Sequence, residues 1–241
     1  MNEKRVLLVT GASSDLGSAL IKKVAPDFDV ILAHYRNSVT VIEELQEQFK
    51  EKIIPVSSDF LSLEDTYAFV DKIENLGMYP THIVHLPAER LRNSHFHKSE
   101  WDSFQKELDV SLRSAVIVLQ HFIKYMAKNK YGKIVIMLSS VVKDLPPNNM
   151  CDYVTVKYSL LGLMKSLSVE YASKGISVNA VSPDMIETKF VSEIPELIRQ
   201  MNAQNSPTGK NLDVSDVIPT IEYLLSKESD SLTGQNFFIP N

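Results

Sequence analysis

The sequence predicts an α/β fold: a three-layer, doubly wound parallel sheet of about seven strands with helices on both faces. Two patterns predict it. Short, β-branched apolar runs alternate with longer helical patterns across almost all of the 241 residues. Near-continuous apolar strands are what a parallel sheet covered on both faces requires, and strand–helix alternation with right-handed crossovers gives the doubly wound arrangement. No Gly/Ser linker, repeat or low-complexity stretch interrupts the pattern, so residues 1–241 read as a single domain.

The elements follow in chain order. RVLLVT is the first strand and runs into the turn TGASSDLG, from which a helical segment leads to the second strand, DVILAHY. A helix over 40–49 precedes KIIPVSS, and one over 63–76 precedes THIVHL. A long helical pattern over 101–128 leads to GKIVIMLSS, another over 153–172 leads to ISVNAVS, and QNFFIP is the last strand. Residues 185–213 break the rhythm with two prolines, the polar run NAQNSPTGKN and one helical piece over 195–201. An excursion of this kind is a lid or binding loop, or else solvated decoration; the first reading makes it a substrate lid.

Hydrophobic residues make up 44% and charged residues 23%, ordinary for a soluble globular chain of a length that buries a substantial core. A net charge of -5 argues against a nucleic-acid surface. The single cysteine, Cys151, leaves no internal disulfide and fits a reducing cytosol. The apolar part of MNEKRVLLVTG is too short for a secretory signal, and no run approaches membrane-spanning length. The expectation is a cytoplasmic protein with a small-molecule substrate and neither nucleic acid nor membrane as partner.

TGASSDLG is shaped for a phosphate. Gly11 can take the tight conformation needed on leaving the strand, and Gly17 lets the helix approach the sheet closely. Ser13 and Ser14 offer hydroxyls and backbone N–H groups to an anion at the helix N-terminus. Glycine turns between strand and helix are common, so the motif alone leaves dinucleotide binding and a plain turn equally open. Arg36, Asn37 and Ser38 follow the second strand about twenty residues past the glycines, where a ribose-reading group belongs. An acid there would bond the ribose hydroxyls of NAD. The planar fork of Arg36 suits a 2′-phosphate, with Asn37 and Ser38 as further donors, so the reading leans to NADP(H). Asp59, closing the third strand, either bonds the adenine amino group or starts the next turn.

Tyr153 and Lys157 stand four apart in a helical pattern and so share a face. A tyrosine with a reference pKa of about 10 is a poor proton donor at neutral pH unless a neighbour stabilises its phenolate, and an ammonium does so. Such pairs also occur on helices with no chemistry attached. Ser139 and Ser140, however, close the fifth strand at the carboxyl edge of the sheet, where ligands of open α/β sheets bind. Ser140, Tyr153 and Lys157 can then converge on one carbonyl.

With these motifs in place, the chain resembles the short-chain dehydrogenase/reductase family over 6–235, most of all its 3-oxoacyl-carrier-protein reductase branch. The resemblance rests on TGASSDLG, Asp59, the set Ser140…Tyr153-x-x-x-Lys157, GISVNAVSP, MIETKF and LTGQ, in that order. It implies a Rossmann-like fold and an NADP(H)-dependent oxidoreductase that moves a hydride between nicotinamide and a ketone or secondary alcohol. A 3-oxoacyl thioester is the leading substrate. By position, Tyr153 would protonate the carbonyl oxygen and Ser140 would hold it, while Lys157 would bond the nicotinamide ribose and lower the Tyr153 pKa. Thr188 would contact the diphosphate or carboxamide, and Ile186 would bond the carboxamide through its backbone. Leu16 and Phe60 complete the implied cofactor set. Members are commonly tetramers, which implies a homo-oligomer, dimer or tetramer.

The chain also departs from the family pattern. Asp15 occupies the middle glycine of TGxxxGxG, where an acid favours the helix dipole and can cap the helix but repels a phosphate. His85-Leu86-Pro87-Ala88 replaces NNAG, which leaves the role of that loop mostly to backbone atoms. Ser111 stands where an asparagine completes a catalytic tetrad by holding a water. Asp184 replaces a glycine beside the nicotinamide, where an acid favours the oxidised, positively charged ring. The C-terminal FFIPN lacks the usual glycines. Two other readings therefore stay open. One is a sugar or polyol dehydrogenase, compatible with the polar lid residues Asn202, Gln204 and Asn205. The other is a catalytically impaired nucleotide-binding or structural subunit on the same fold.

No metal site is expected. His82 and His85 are at odd separation in one strand and face opposite sides of the sheet, and His95-x-His97 has no further ligand at a zinc spacing. Cys151 has no visible base partner that would make it a nucleophile.

Overall fold

In the computed structural model, which describes residues 4–240, VLLVT forms the fully buried strand β1 (Val6–Thr10). Its side chains feed both faces of the sheet: Val6 and Leu8 enter one apolar cluster, Leu7 and Val9 the other. Alternate burial on two covered faces is the reason the strand sequence shows no polar alternation. β2 (Val30–Tyr35), β3 (Ile53–Ser57), β4 (His82–His85), β5 (Gly132–Met137), β6 (Ile176–Pro183) and β7 (Asn236–Ile239) complete one sheet in the order β3-β2-β1-β4-β5-β6-β7. Every pairing is parallel. Pro55, which cannot donate to a ladder, lies in edge strand β3.

Helices α1 (Asp15–Val24) and α2 (Val39–Phe49) cover one face together with α8 (Val214–Leu225). α3 (Leu63–Asn75), α5 (Ser114–Asn129) and α6 (Cys151–Tyr171) cover the other. The 185–213 segment contains α7 (Glu196–Asn205), four residues longer at its C-terminus than the 195–201 helix expected from sequence. Among the described residues no helix is long and apolar enough to cross a membrane.

One expectation needs correction. The pattern over 101–128 is not a single regular helix: α4 (Trp101–Glu107) passes through a π-helical segment, Leu108–Arg113, before α5 begins. A π turn widens the ladder and lets carbonyls bond elsewhere, often at functional sites. Here the Ser111 carbonyl is met by Nε2 of His85 at 2.9 Å, and the Ser114 hydroxyl bonds the Val110 carbonyl. Apolar periodicity does not register these polar contacts.

Candidate active site

Strand order reverses between β1 and β4, and the carboxyl ends of the strands there open into a cleft of about 670 Å³. This is the switch point at which open α/β sheets bind ligands. On one wall Gly11 turns the chain at φ 77°, and a Cβ on Gly17 would lie 2.4 Å from the Gly11 carbonyl oxygen, so the turn closes only with glycine there. Ser14 caps α1. Its hydroxyl accepts from the Gly17 N–H at 3.0 Å and donates to the Gly11 carbonyl at 2.8 Å, so it is spent on building the turn rather than offered to an anion. Ser13 and Leu16 line the cleft beside it.

His34, which sequence reading passed over as one more strand residue, supports this turn from below. Its Nδ1 accepts from the Gly11 N–H at 3.0 Å, which puts the proton on Nε2, and Nε2 donates to the Ser58 carbonyl at 3.1 Å. The ring stacks on Phe60 at 4.0 Å. Burial pulls its pKa down to about 4, so it is neutral at physiological pH.

Beyond β2, Arg36 reaches into the cleft between Asp59 at 3.7 Å and Glu89 at 3.5 Å. Ser38 lines the cleft with it; Asn37 does not, and offers no side chain to a ligand there. Asp59 also accepts from the Leu61 N–H, so the turn-starting role is met.

Ser140, Tyr153 and Lys157 line the same cleft, from the end of β5 and the first turns of α6. Tyr153 and Lys157 are 8% and 2% exposed. The Lys157 Nζ donates to the Met137 carbonyl at 3.0 Å and stands 5.4 Å from the Tyr153 ring centre. The expectation that Lys157 lowers the Tyr153 pKa is not met in this geometry. Burial drives the phenol upward, opposed only by the nearby Ser139 hydroxyl, while burial lowers Lys157 to about 8. The Ser140 hydroxyl donates to Asp184 Oδ1 at 3.1 Å. Ile186 and Thr188 border the cleft where the 185–213 segment begins, and Ile186 bridges to Leu212.

A family model described as enoyl-(acyl carrier protein) reductase matches residues 11–240, nearly the whole chain. The chain belongs to this family, the short-chain dehydrogenase/reductases. It is 28% identical over 240 residues to the 3-oxoacyl-[acyl-carrier-protein] reductase of Rickettsia typhi, covering 96% of this chain and 93% of that one. The solved 3-ketoacyl-(acyl-carrier-protein) reductase of Brucella melitensis, complexed with NADH, superposes with a TM-score of 0.89 at 20% identity, covering 100% and 98% of the two chains. The gluconate 5-dehydrogenase of Burkholderia cenocepacia, in complex with NADP and tartrate, superposes at 0.88 with 22% identity, covering 98% and 93%. At such identities the two structures speak for the fold.

The structure shows how this member of the short-chain dehydrogenase/reductases accommodates its departures. Asp15 is the first residue of α1 and not its cap. Its carboxylate accepts the Lys189 N–H at 2.8 Å and so ties the glycine turn to the 185–213 segment. His85 adds a side chain to a loop expected to act mostly through backbone atoms: its ring joins the Thr10 hydroxyl, 2.9 Å from Nδ1, to the Ser111 carbonyl. Ser111 is fully buried and does not line the cleft. Its hydroxyl is shared between the Pro87 carbonyl at 3.0 Å and Glu107 Oε1 at 2.8 Å. Glu107 is a buried acid that sequence reading missed, hidden in a segment taken for ordinary amphipathic helix. Away from the cleft, ligand-type atoms of Asp71, Glu74 and His121 lie within 4.8 Å of one another, with Glu74 already bonded by His121 and Tyr125.

Proposed function

We propose that the chain is an NADP(H)-dependent reductase of ketones, working also as a dehydrogenase of the matching secondary alcohols, with a 3-oxoacyl thioester as its leading substrate class. The observation that carries this reading is that Ser140, Tyr153 and Lys157 line the same cleft as the Gly11 turn and Arg36. The residues present fit a dinucleotide: the turn, closed only because Gly17 carries no Cβ, sets the N-terminus of α1 at the cleft, and Arg36 stands where a 2′-phosphate could replace its two carboxylate partners.

When bound, the nicotinamide supplies or accepts the hydride. The chain's own residues handle the proton and the orientation. Burial keeps the Tyr153 hydroxyl protonated through the neutral range, so a proton is available for the carbonyl oxygen. Lys157, on the same wall, would bond the nicotinamide ribose. Ser140 holds the oxygen once its hydroxyl turns from Asp184 to the substrate. A polyol or sugar dehydrogenase is the second reading, favoured by Asp184 and Asn202 on the cleft wall, where they can bond substrate hydroxyls.

Titration of the purified protein with NADPH and, in parallel, NADH tests the first reading, followed by turnover on ketones, 3-oxoacyl thioesters and polyols. Micromolar NADPH binding at least about tenfold tighter than NADH is expected, a difference of about 1.4 kcal/mol. If neither nucleotide binds, the reading fails and a structural role on this fold takes its place.

A further inference from the structure

The hydroxyl of Ser140 is already committed. It donates to Asp184 Oδ1 at 3.1 Å, and the same oxygen accepts the Met185 N–H at 3.0 Å. Both partners are fixed by the sheet. Ser140 stands just past the end of β5 and Asp184 just past the end of β6, neighbouring strands paired with Met137 opposite Val181. The Leu138 N–H donates to the Val181 carbonyl at 2.8 Å, and the Asp184 N–H donates to the Ile239 carbonyl of β7 at 2.9 Å, so the ladder runs up to both residues. Asp184 is one of the positions at which the chain departs from its family, and it lines the cleft with Ser140 and Tyr153.

A serine hydroxyl has one proton and two lone pairs, whereas a carboxylate only accepts. With its proton held by Asp184, Ser140 offers the cleft lone pairs alone. A ketone oxygen has no proton to give. Ser140 can hold it only by leaving the carboxylate, and hydrogen bonds to charged acceptors are among the stronger ones. The oxygen of a secondary alcohol suits the site as it stands: it can donate its O–H to Ser140 while accepting from the Tyr153 hydroxyl, which burial keeps protonated.

We propose that Asp184 is a positioning residue that makes Ser140 an acceptor, so that the site holds the alcohol form of its substrate more tightly than the ketone. Working as a reductase, the chain is then inhibited by its own product. Supplied with the alcohol, it saturates at low concentration. The preference is decided at the reacting oxygen and is the same for a hydroxyacyl thioester and for a polyol.

This preference rests on the reductase reading, and the experiment separates the two. A ketone is titrated into the protein with NADP and the matching alcohol into the protein with NADPH. Neither pair can react, so calorimetry reads binding and not turnover. In the wild type the alcohol should bind more tightly. Asp184 lies outside the left-handed region, so alanine fits its backbone. Asp184→Ala should tighten the ketone about tenfold and weaken the alcohol by a similar factor. In a Ser140→Ala background the same substitution should move neither constant, whereas a merely structural Asp184 would shift both in either background. Unmoved constants in Asp184→Ala, or equal shifts with and without Ser140, overturn the proposal. They leave the reductase reading intact if the wild type reduces the ketone and Tyr153→Phe does not. A wild type that binds neither nucleotide overturns both. If Asp184→Ala does not fold, Asp184→Asn carries the test. It keeps an acceptor for Ser140 and Met185 but removes the charge, so the same shifts should appear at about threefold, and wild-type constants refute the assignment.

Discussion

His34, His82 and His85 are held neutral inside the fold, and acid should therefore unfold this protein early. Burial lowers His34 to about 4 and His82 and His85 to about 3, whereas in the unfolded chain each returns to about 6.5. Between about pH 6.5 and pH 4 the unfolded chain thus binds three more protons than the folded one, so stability is full above that window and is lost as pH falls through it. At about 1.4 kcal/mol per proton and pH unit the slope is about 4 kcal/mol per unit. Glu107, whose carboxyl is pushed up by burial, takes up its proton earlier when folded and offsets part of this. From about pH 6.5 to pH 5 the loss is roughly 4–6 kcal/mol, comparable to the whole stability of an ordinary domain. Urea unfolding followed by circular dichroism at about pH 7.5, 6 and 5 reads this as a steep fall in the midpoint at constant m-value. His85→Gln should flatten the dependence by close to one proton. A midpoint that stays level from pH 7 to pH 5 would refute the claim that burial keeps these rings neutral.

Two further outcomes follow from the glycine turn. Asp15→Gly removes a carboxylate from the turn and frees the Lys189 N–H, so NADPH should bind about fivefold tighter, by roughly the 1 kcal/mol of one like-charge contact in water, as read by fluorescence titration. Gly17→Ala sets a Cβ against the Gly11 carbonyl oxygen and the Ala12 backbone, neither of which can yield cheaply. Overpacking of this kind costs about 1–3 kcal/mol, visible as a lowered thermal midpoint together with weakened nucleotide binding.

Much of this was legible in the residues. VLLVT, VILAHY and GKIVIM are apolar on both faces because both faces are covered, so the parallel three-layer sheet could be read from composition and alternation alone. Gly11, Gly17 and the four-residue step from Tyr153 to Lys157 are local constraints, and local constraints are written in local sequence. What the sequence did not disclose are the contacts made between distant segments. Asp15 meets Lys189 across the cleft, Arg36 is shared by Asp59 and Glu89, and Ser140 faces Asp184. The turn's dependence on His34 and the π segment that turns Ser111 toward Glu107 and His85 have no periodic signature, because a polar residue in a strand or helix reads the same whether it is solvated or buried with a partner. Sequence determined the fold and which residues carry chemistry-bearing groups, through short-range sterics and apolar patterning. Only the tertiary structure decided which of those groups are buried together, and burial is what sets their protonation.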